Sequence, residues 1–269
     1  MNRIDARFDQ LKRRKETAFI PFITAGDPTL SRTREIVLAL ERAGADIVEL
    51  GVPFSDPIAD GVVNQEAAQR ALKHNVTLHD CVALVKELRK ETQLPLLLFT
   101  YYNPVLAYGV EQFAVDCADA GVDGVLCVDL PPEEDEEYNR CLHEKNIATV
   151  YLVAPTTRPE RMDVIARYSR GFIYYVSSMG VTGERRSLDD TVGNMVSELK
   201  SHAQTPVAVG FGISTPEQAA QVAGYADGVV VGSAIVRLIG SLGDSPETAD
   251  KVGAFVKTLA DASKLGAAP

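Results

Sequence analysis

Acidic side chains lie inside and just after an apolar segment near the start of the sequence. Glu49 interrupts residues 46–50, where a buried strand would normally carry another aliphatic side chain. An acid inside a strand is costly unless it is paired or used in chemistry. Asp56 and Asp60 follow on a loop that closes at Gly61. Glu49 and an acid on the adjoining loop could form a proton-transfer pair. The alternative is that Glu49 pairs with a basic residue and that the aspartates are turn residues.

A second set of residues is suited to binding an anion. Three strand-like segments in the second half of the chain are followed by glycine turns, at Thr182-Gly183, Gly212-Ile213 and Gly232-Ser233. Such turns offer unobstructed backbone N–H groups, and the last one opens a helical segment, 234–239, whose dipole favours negative charge. Three glycine turns on neighbouring strands predict a phosphate site.

Several kinds of catalysis are disfavoured by what the strand-like segments lack. None contains a lysine that could form a Schiff base, and the four histidines fall in helical segments or their flanks. The four cysteines have no CxxC spacing, so we expect reduced thiols and no metal site. The groups that remain for catalysis and binding are carboxylates, hydroxyls, aromatic rings and the glycine turns. This set suits cofactor-free proton transfer on a phosphorylated substrate with an apolar part.

The elements that must position these residues alternate along the chain. Eight mostly apolar segments predict strands buried on both faces, at 18–24, 46–51, 95–101, 124–128, 148–153, 172–177, 206–210 and 228–231. Amphipathic segments predict helices at 30–43, 78–91, 110–120, 134–145, 159–168, 188–201, 215–223 and 246–265. Further helices are predicted at 4–15, where one could cap a barrel floor, and at 64–74.

Eight strand–helix units predict an α/β protein, a single (β/α)8 TIM barrel over residues 1–269 with an extra N-terminal helix and extra short helices. The active site would then lie at the C-terminal ends of the strands. A doubly wound open sheet is the alternative, but no GxGxxG motif lies between the first strand and the first helix to support it.

Composition limits the partners and the location. With 37 acidic and 27 basic residues, the net charge of -10 argues against nucleic acid and anionic membranes as partners. The longest apolar stretches, such as 94–99, are too short to span a bilayer, and charged residues at 12–16 exclude a signal peptide. We therefore expect a cytoplasmic protein, or a stromal one if the source is a photosynthetic eukaryote.

The chain resembles the α subunit of tryptophan synthase from end to end. The motifs that carry the resemblance lie at 19–28 (FIPFITAGDP), 49–57 (ELGVPFSDP), 59–61, 102–104, 180–183, 210–213 and 232–236. The resemblance implies a lyase of tryptophan biosynthesis that cleaves indole-3-glycerol phosphate into indole and glyceraldehyde 3-phosphate. It also implies an α2β2 heterotetramer, in which pyridoxal phosphate belongs only to the partner β subunit, so that this chain has no cofactor.

The resemblance further implies roles for individual residues. Glu49 matches the acid–base residue, and Asp60 matches the carboxylate that holds the indole N–H. The substrate would also contact Phe22, Thr100, Tyr102, Tyr174, Thr182, Gly183, Phe211, Gly212, Ile213, Gly232 and Ser233. Barrel packing is the alternative for the aromatic residues. Residues 180–186 match a mobile lid in which Thr182 would bond Asp60. Pro53, Phe54 and Asp56 match the β-subunit contact, and we expect Phe54 to be exposed there.

The sequence departs from the family pattern in two places, and two alternative functions remain. Residues 62–65 read Val-Val-Asn-Gln, where many relatives have Pro and an Ile before the Gln, and Ser178 stands where some relatives have Arg. Another phosphosugar barrel, an isomerase or epimerase, is disfavoured because such enzymes often use paired carboxylates on opposite strands or a metal. A weakly active regulatory subunit is the remaining alternative, which an assay with and without a β subunit would distinguish.

Overall fold

A computed structural model describes residues 2–134, 136–176, 185–210 and 212–265, except for the side chains of 185–190. Within these ranges eight parallel strands pair in sequence order, and the last pairs with the first to close a barrel. They are β1 (Ala18–Thr24), β2 (Val48–Gly51), β3 (Leu96–Thr100), β4 (Gly124–Cys127), β5 (Ala148–Val153), β6 (Ile173–Val176), β7 (Val207–Gly210) and β8 (Gly228–Val231). The predicted TIM barrel is confirmed, and the ends of every predicted strand lie within two residues of these bounds.

The same described ranges contain twelve helices. They are α1 (Arg3–Arg14), α2 (Leu30–Arg42), α3 (Val62–Leu72), α4 (Leu78–Leu88), α5 (Tyr102–Tyr108), α6 (Val110–Ala120), α7 (Glu136–Glu144), α8 (Pro159–Tyr168), α9 (Arg185–His202), α10 (Pro216–Ala223), α11 (Ser233–Leu242) and α12 (Thr248–Leu265). No helix within the described part of the chain is long and apolar enough to cross a membrane.

Helix α5 was not predicted from the sequence. Tyr102, Asn103 and Pro104 directly follow the predicted third strand, and they are the first turn of this helix. Proline is tolerated there because the first N–H groups of a helix have no intrahelical acceptor. The added turn matters for the site, because it turns the side chain of Tyr102 away from the strand end.

Helix α1 fills the N-terminal end of the barrel. Ile4, Phe8 and Leu11 are buried among side chains of the barrel interior, as expected for a helix that caps the floor. Gly124 at the start of β4 leaves room for this contact, since a Cβ atom there would lie 2.9 Å from Cδ1 of Ile4. Helix α1 therefore covers the N-terminal end of the barrel interior.

Three buried or half-buried aspartates just before β2, β4 and β8 share one arrangement. They are Asp46, Asp123 and Asp227. Each accepts a hydrogen bond of 2.8–2.9 Å from a backbone N–H at or next to the start of the preceding strand. Each is also ion-paired with a basic side chain. These contacts hold the N-terminal face together, which separates the stabilising charges from the face that carries chemistry in this fold.

Candidate active site

The side chain of Glu49 points into the barrel near the C-terminal end of β2. Its neighbours in register are Phe22 on β1 and Leu97 on β3. The residue is 1% exposed, and neither carboxyl oxygen has a hydrogen-bond partner among the described residues. Burial raises the pKa of Glu49 to about 8. The alternative that Glu49 pairs with a basic side chain therefore fails for the described part of the chain.

Asp60 lies in a different environment on the loop between β2 and α3. It is half-buried, and its Oδ2 accepts a hydrogen bond of 3.0 Å from the hydroxyl of Tyr101. The side chain of Gln65 donates to its backbone carbonyl at 2.7 Å. Burial raises the pKa of Asp60, while hydrogen bonds from the side chains of Tyr101 and Asn64 act in the opposite direction. One acid is thus kept protonated near neutral pH, and the other has donors that favour its charged form.

Both acids line one cavity of about 530 Å³ at the C-terminal ends of the strands. Its walls include the apolar or aromatic side chains of Phe22, Phe99, Val128, Leu152 and Tyr174. The same cavity is lined by Gly212, Gly232 and Ser233 from the turns after β7 and β8. The two carboxylates and two of the three predicted glycine turns therefore face a common space, mostly apolar, that is large enough for a small organic phosphate.

The glycine turns present backbone donors to this space. Ser233 is the first residue of α11, and the preceding Gly232 forms no side-chain cap. The first N–H groups of the helix stay available to an anion, and the helix dipole favours negative charge there. Gly212 has a φ of 74°, a conformation that other residues rarely adopt. Ile213 is 3% exposed and does not line the cavity.

Two of the four predicted pocket residues lie on the cavity wall. The ring of Phe22 packs edge-on against Phe99, with centroids 5.3 Å apart. Tyr174 is more than half-buried on β6, and burial together with the nearby charge of Glu49 raises the pKa of its hydroxyl well above the usual value. The hydroxyl therefore stays protonated and can serve only as a neutral donor or acceptor.

Thr100 and Tyr102 do not line the cavity. Thr100 is buried on the outer side of β3, where its Oγ1 donates to the carbonyl of Tyr101 at 3.1 Å. The ring of Tyr102 lies edge-on to Tyr138, with centroids 6.1 Å apart. Phe99 lines the cavity instead, and Tyr101 reaches the site only through its hydrogen bond to Asp60, because side chains along a strand alternate between its two faces. The alternation was visible in the sequence, but the pairing that makes Leu97 face inward beside Glu49 was not.

Part of the predicted site lies outside the described residues. This holds for Thr182, Gly183 and Phe211, for Ser178, and for residues 180–184 of the predicted lid at 180–186. The side chains of Arg185 and Arg186 are also not described. Their roles stay predictions.

The predicted partner loop is less exposed than expected. Pro53 is buried, and the half-buried ring of Phe54 packs against Tyr101 with centroids 5.1 Å apart. The expectation of a freely exposed Phe54 is therefore wrong, because Tyr101 covers one side of it. Asp56 is exposed and accepts a hydrogen bond from Ser55 at 2.6 Å. The large apolar side chains exposed just after Asp56 in the sequence are Ile58 and Val62.

A group that could hold a metal ion is found elsewhere. Glu111, Glu137 and Cys141 bring their ligand atoms within 4.8 Å of one another on α6 and α7. None of them lines the cavity, and both carboxylates are exposed. The four cysteines are free and buried.

This chain is similar to known proteins over most of its length. The family model described as "Tryptophan synthase alpha chain" matches residues 8–264. The tryptophan synthase alpha chain of Geotalea uraniireducens is 49% identical over 260 residues, which cover 96% of this chain and 97% of that protein. That of Halalkalibacterium halodurans is 51% identical over 239 residues, covering 88% and 90%.

Solved structures agree with the sequence relatives. The crystal structure of tryptophan synthase subunit alpha from Legionella pneumophila superimposes with a TM-score of 0.90 at 38% identity, covering 97% of this chain and 98% of that one. Tryptophan synthase from M. tuberculosis, in its aminoacrylate-bound form, gives 0.87 at 33% identity, covering 99% and 100%. The chain therefore belongs to the tryptophan synthase alpha chain family, the lyases that cleave indole-3-glycerol phosphate in tryptophan biosynthesis.

Proposed function

We propose that this chain cleaves indole-3-glycerol phosphate with Glu49 as the acid–base residue and Asp60 as the group that holds the indole N–H. The observation that carries the proposal is the pair of carboxylates in unlike environments on one cavity. Glu49 is buried and has no partner in the part of the chain that the structure describes, whereas Asp60 accepts a hydrogen bond from Tyr101. A reaction that needs a proton donor and a lasting negative charge requires this difference.

The reaction can be written with one proton delivered and one removed. Neutral Glu49 gives its proton to carbon three of the indole, which turns the ring into an electron-deficient indoleninium. The resulting carboxylate accepts the proton of the glycerol hydroxyl next to the bond that breaks. The electrons of that O–H bond form the aldehyde carbonyl, and those of the carbon–carbon bond return to the ring. Indole and glyceraldehyde 3-phosphate leave, and Glu49 is protonated again.

Asp60 stabilises the charge that develops on the ring. The indole nitrogen becomes positive when carbon three is protonated, so an ionised carboxylate at the N–H is stabilising mainly in the transition state. Because the cavity wall is largely apolar, the interaction is weakly screened by water. The donors from Tyr101 and Asn64 favour the ionised form that this role requires.

The remaining contacts follow from the lining of the cavity. Phe22 and Tyr174 would flank the indole, and Phe99 would contribute the apolar contact from β3 that was expected of Thr100. The phosphate would be held by N–H groups at Gly212, Gly232 and Ser233, with Gly183 completing the cradle. Ile213 would support this turn from the core. Thr182 and Phe211 are retained as substrate contacts.

The partner is proposed to be a tryptophan synthase β subunit that binds at Pro53, Phe54 and Asp56. The relative from M. tuberculosis is a tryptophan synthase in an aminoacrylate-bound form, and aminoacrylate chemistry fits a pyridoxal phosphate enzyme. That cofactor would belong to the partner, and this chain would work without one. Ile58, exposed on the same loop, adds apolar area to this surface. An α2β2 stoichiometry, a cytoplasmic location and a single domain over 1–269 remain predictions.

Measurement of indole release tests the two main roles. Glu49→Gln should nearly abolish release, and Asp60→Asn should lower kcat by about 100-fold or more, since it loses several kcal/mol of charge stabilisation. Both variants are close in shape to the wild type, so they should fold. Glu134→Gln, an exposed acid outside the cavity, is the matched control.

The assay should be run with and without a β subunit. Slow release by the chain alone and faster release with the partner would support the proposal. Comparable turnover by Glu49→Gln or by Asp60→Asn would remove that residue from the mechanism, and no release under either condition would favour a regulatory subunit.

A further inference from the structure

Tyr101 makes two hydrogen bonds to consecutive residues of the loop that carries Asp60. Its hydroxyl donates to Oδ2 of Asp60 at 3.0 Å and accepts from the backbone N–H of Ala59 at 3.0 Å. Tyr101 itself follows β3 and is 3% exposed, so it is fixed to the barrel wall. The hydroxyl therefore ties a mostly exposed loop segment to a rigid strand end.

The ring of Tyr101 has a separate contact. It packs against Phe54, with centroids 5.1 Å apart and planes inclined at 33°. Phe54 belongs to the loop that we propose as the partner surface. Tyr101 thus lies between that loop and Asp60, with its ring facing one and its hydroxyl facing the other.

Asn64 approaches Asp60 from α3. Its side chain lines the cavity beside Asp60, and its interaction with the carboxylate lowers the pKa of Asp60. A carboxamide can only donate to an ionised carboxylate through its nitrogen, which leaves Oδ1 on the other side. That oxygen is buried without a partner among the described residues. A buried acceptor without a partner is costly, so the place of this side chain beside Asp60 indicates a use.

Other charged and titratable groups face the same cavity. They are Glu49 on β2, Cys127 on β4, Asp129 after β4, Tyr151 on β5, Tyr174 on β6 and Arg161 on α8. The influences on the pKa of Asp60 are burial, which raises it, and the bonds from Tyr101 and Asn64, which lower it. Burial and the charge of Asp60 raise the pKa of Tyr101, so its hydroxyl remains a donor throughout the range in which the enzyme would work.

We propose that Tyr101 is a positioning residue of the cleavage reaction, which holds the Asp60 carboxylate ionised and aimed into the cavity. Asn64, on α3, supports the same carboxylate. The inference rests on the proposed role of Asp60. Neither residue needs to touch the reacting atoms, since each acts through the carboxylate. The sequence motif around Tyr102 pointed to the wrong tyrosine, and only the hydrogen bonds identify Tyr101.

The test is the pH profile of indole release by three variants. Tyr101→Phe keeps the ring against Phe54 and removes the hydroxyl, and Asn64→Leu keeps the volume and removes the amide. In each, the acid limb of kcat/KM should move up by about one pH unit, because a bond that favours ionised Asp60 is lost. The loss of kcat/KM should therefore be about tenfold below the pH of the original limb, and it should shrink as the pH rises. The double variant should shift further.

Tyr108→Phe is the matched control, because this tyrosine of α5 bonds Asp116 outside the cavity and its loss should not move the limb. A wild-type profile in both Tyr101→Phe and Asn64→Leu, or a loss that is equal at every pH, would overturn the inference. Asp60→Asn separates this outcome from a failure of the proposed function. If Asp60→Asn is inactive while the two variants are normal, only the positioning role falls; if Asp60→Asn is active, the proposed function falls with it.

Discussion

Glu49 should weaken the fold that carries it, and the effect should depend on pH. The carboxyl has a pKa of about 8 in the folded chain, against 4.5 for an exposed glutamate. Below pH 4.5 it is neutral in both the folded and the unfolded state and contributes no difference. As the pH rises from 4.5 towards 8, the unfolded chain releases the proton and the folded chain keeps it, so stability is lost.

The size of the loss follows from the two pKa values. One pKa unit corresponds to about 1.4 kcal/mol, so the penalty is about 1 kcal/mol at pH 5, about 3 kcal/mol at pH 7 and about 5 kcal/mol well above pH 8. Glu49→Gln has nearly the same shape and cannot ionise. Its free energy of unfolding should therefore exceed that of the wild type by an amount that grows by about 2–3 kcal/mol between pH 5 and pH 7. All other titrating groups are common to both proteins and cancel.

Urea unfolding followed by far-UV circular dichroism at the two pH values measures this quantity, and the chain has no tryptophan that could report by fluorescence. Glu134→Gln serves as the control, because this exposed acid should change the free energy of unfolding by less than about 0.5 kcal/mol at either pH. A Glu49→Gln difference that is the same at pH 5 and pH 7 would show that the native carboxyl is already ionised. The reasoning that makes Glu49 the proton donor would then be refuted, whatever the activity of the variant.

Two further outcomes are expected at other parts of the C-terminal face. Ser233→Asp places a negative charge at the first residue of α11, where it suits the helix dipole but repels a phosphate. The thermal stability of this variant should be unchanged or slightly higher. Its KM should rise at least about tenfold, and inhibition by inorganic phosphate should weaken in parallel. An unchanged KM would remove this turn from the phosphate site. Ile58→Asp should weaken binding of the β subunit, measured by titrating the partner and following indole release. Leu265→Asp, equally exposed at 87% but on the last residue of α12, is the control, and identical titrations for the two variants would exclude Ile58 from the interface.

The sequence by itself determined the barrel and its two acids. Strands buried on both faces must be apolar throughout, so eight such segments separated by amphipathic ones leave few alternatives to a closed parallel barrel. The same reasoning singled out Glu49, because one acid in an apolar strand is conspicuous. The turns at Gly212 and Gly232 were found because a close approach of backbone to an anion favours glycine.

The tertiary structure decided what the side chains face. Tyr101 and Tyr102 are adjacent, and which of them reaches Asp60 depends on the register of β3 against β2 and on a helical turn that starts at Tyr102. A shift by one residue reverses the face of every side chain in a strand, and no local pattern fixes that register. The exposure of Phe54 was misjudged for a related reason, since the ring that covers it is distant in sequence. The raised pKa of Glu49 likewise results from burial by several strands at once, a property that the segment around it cannot specify alone.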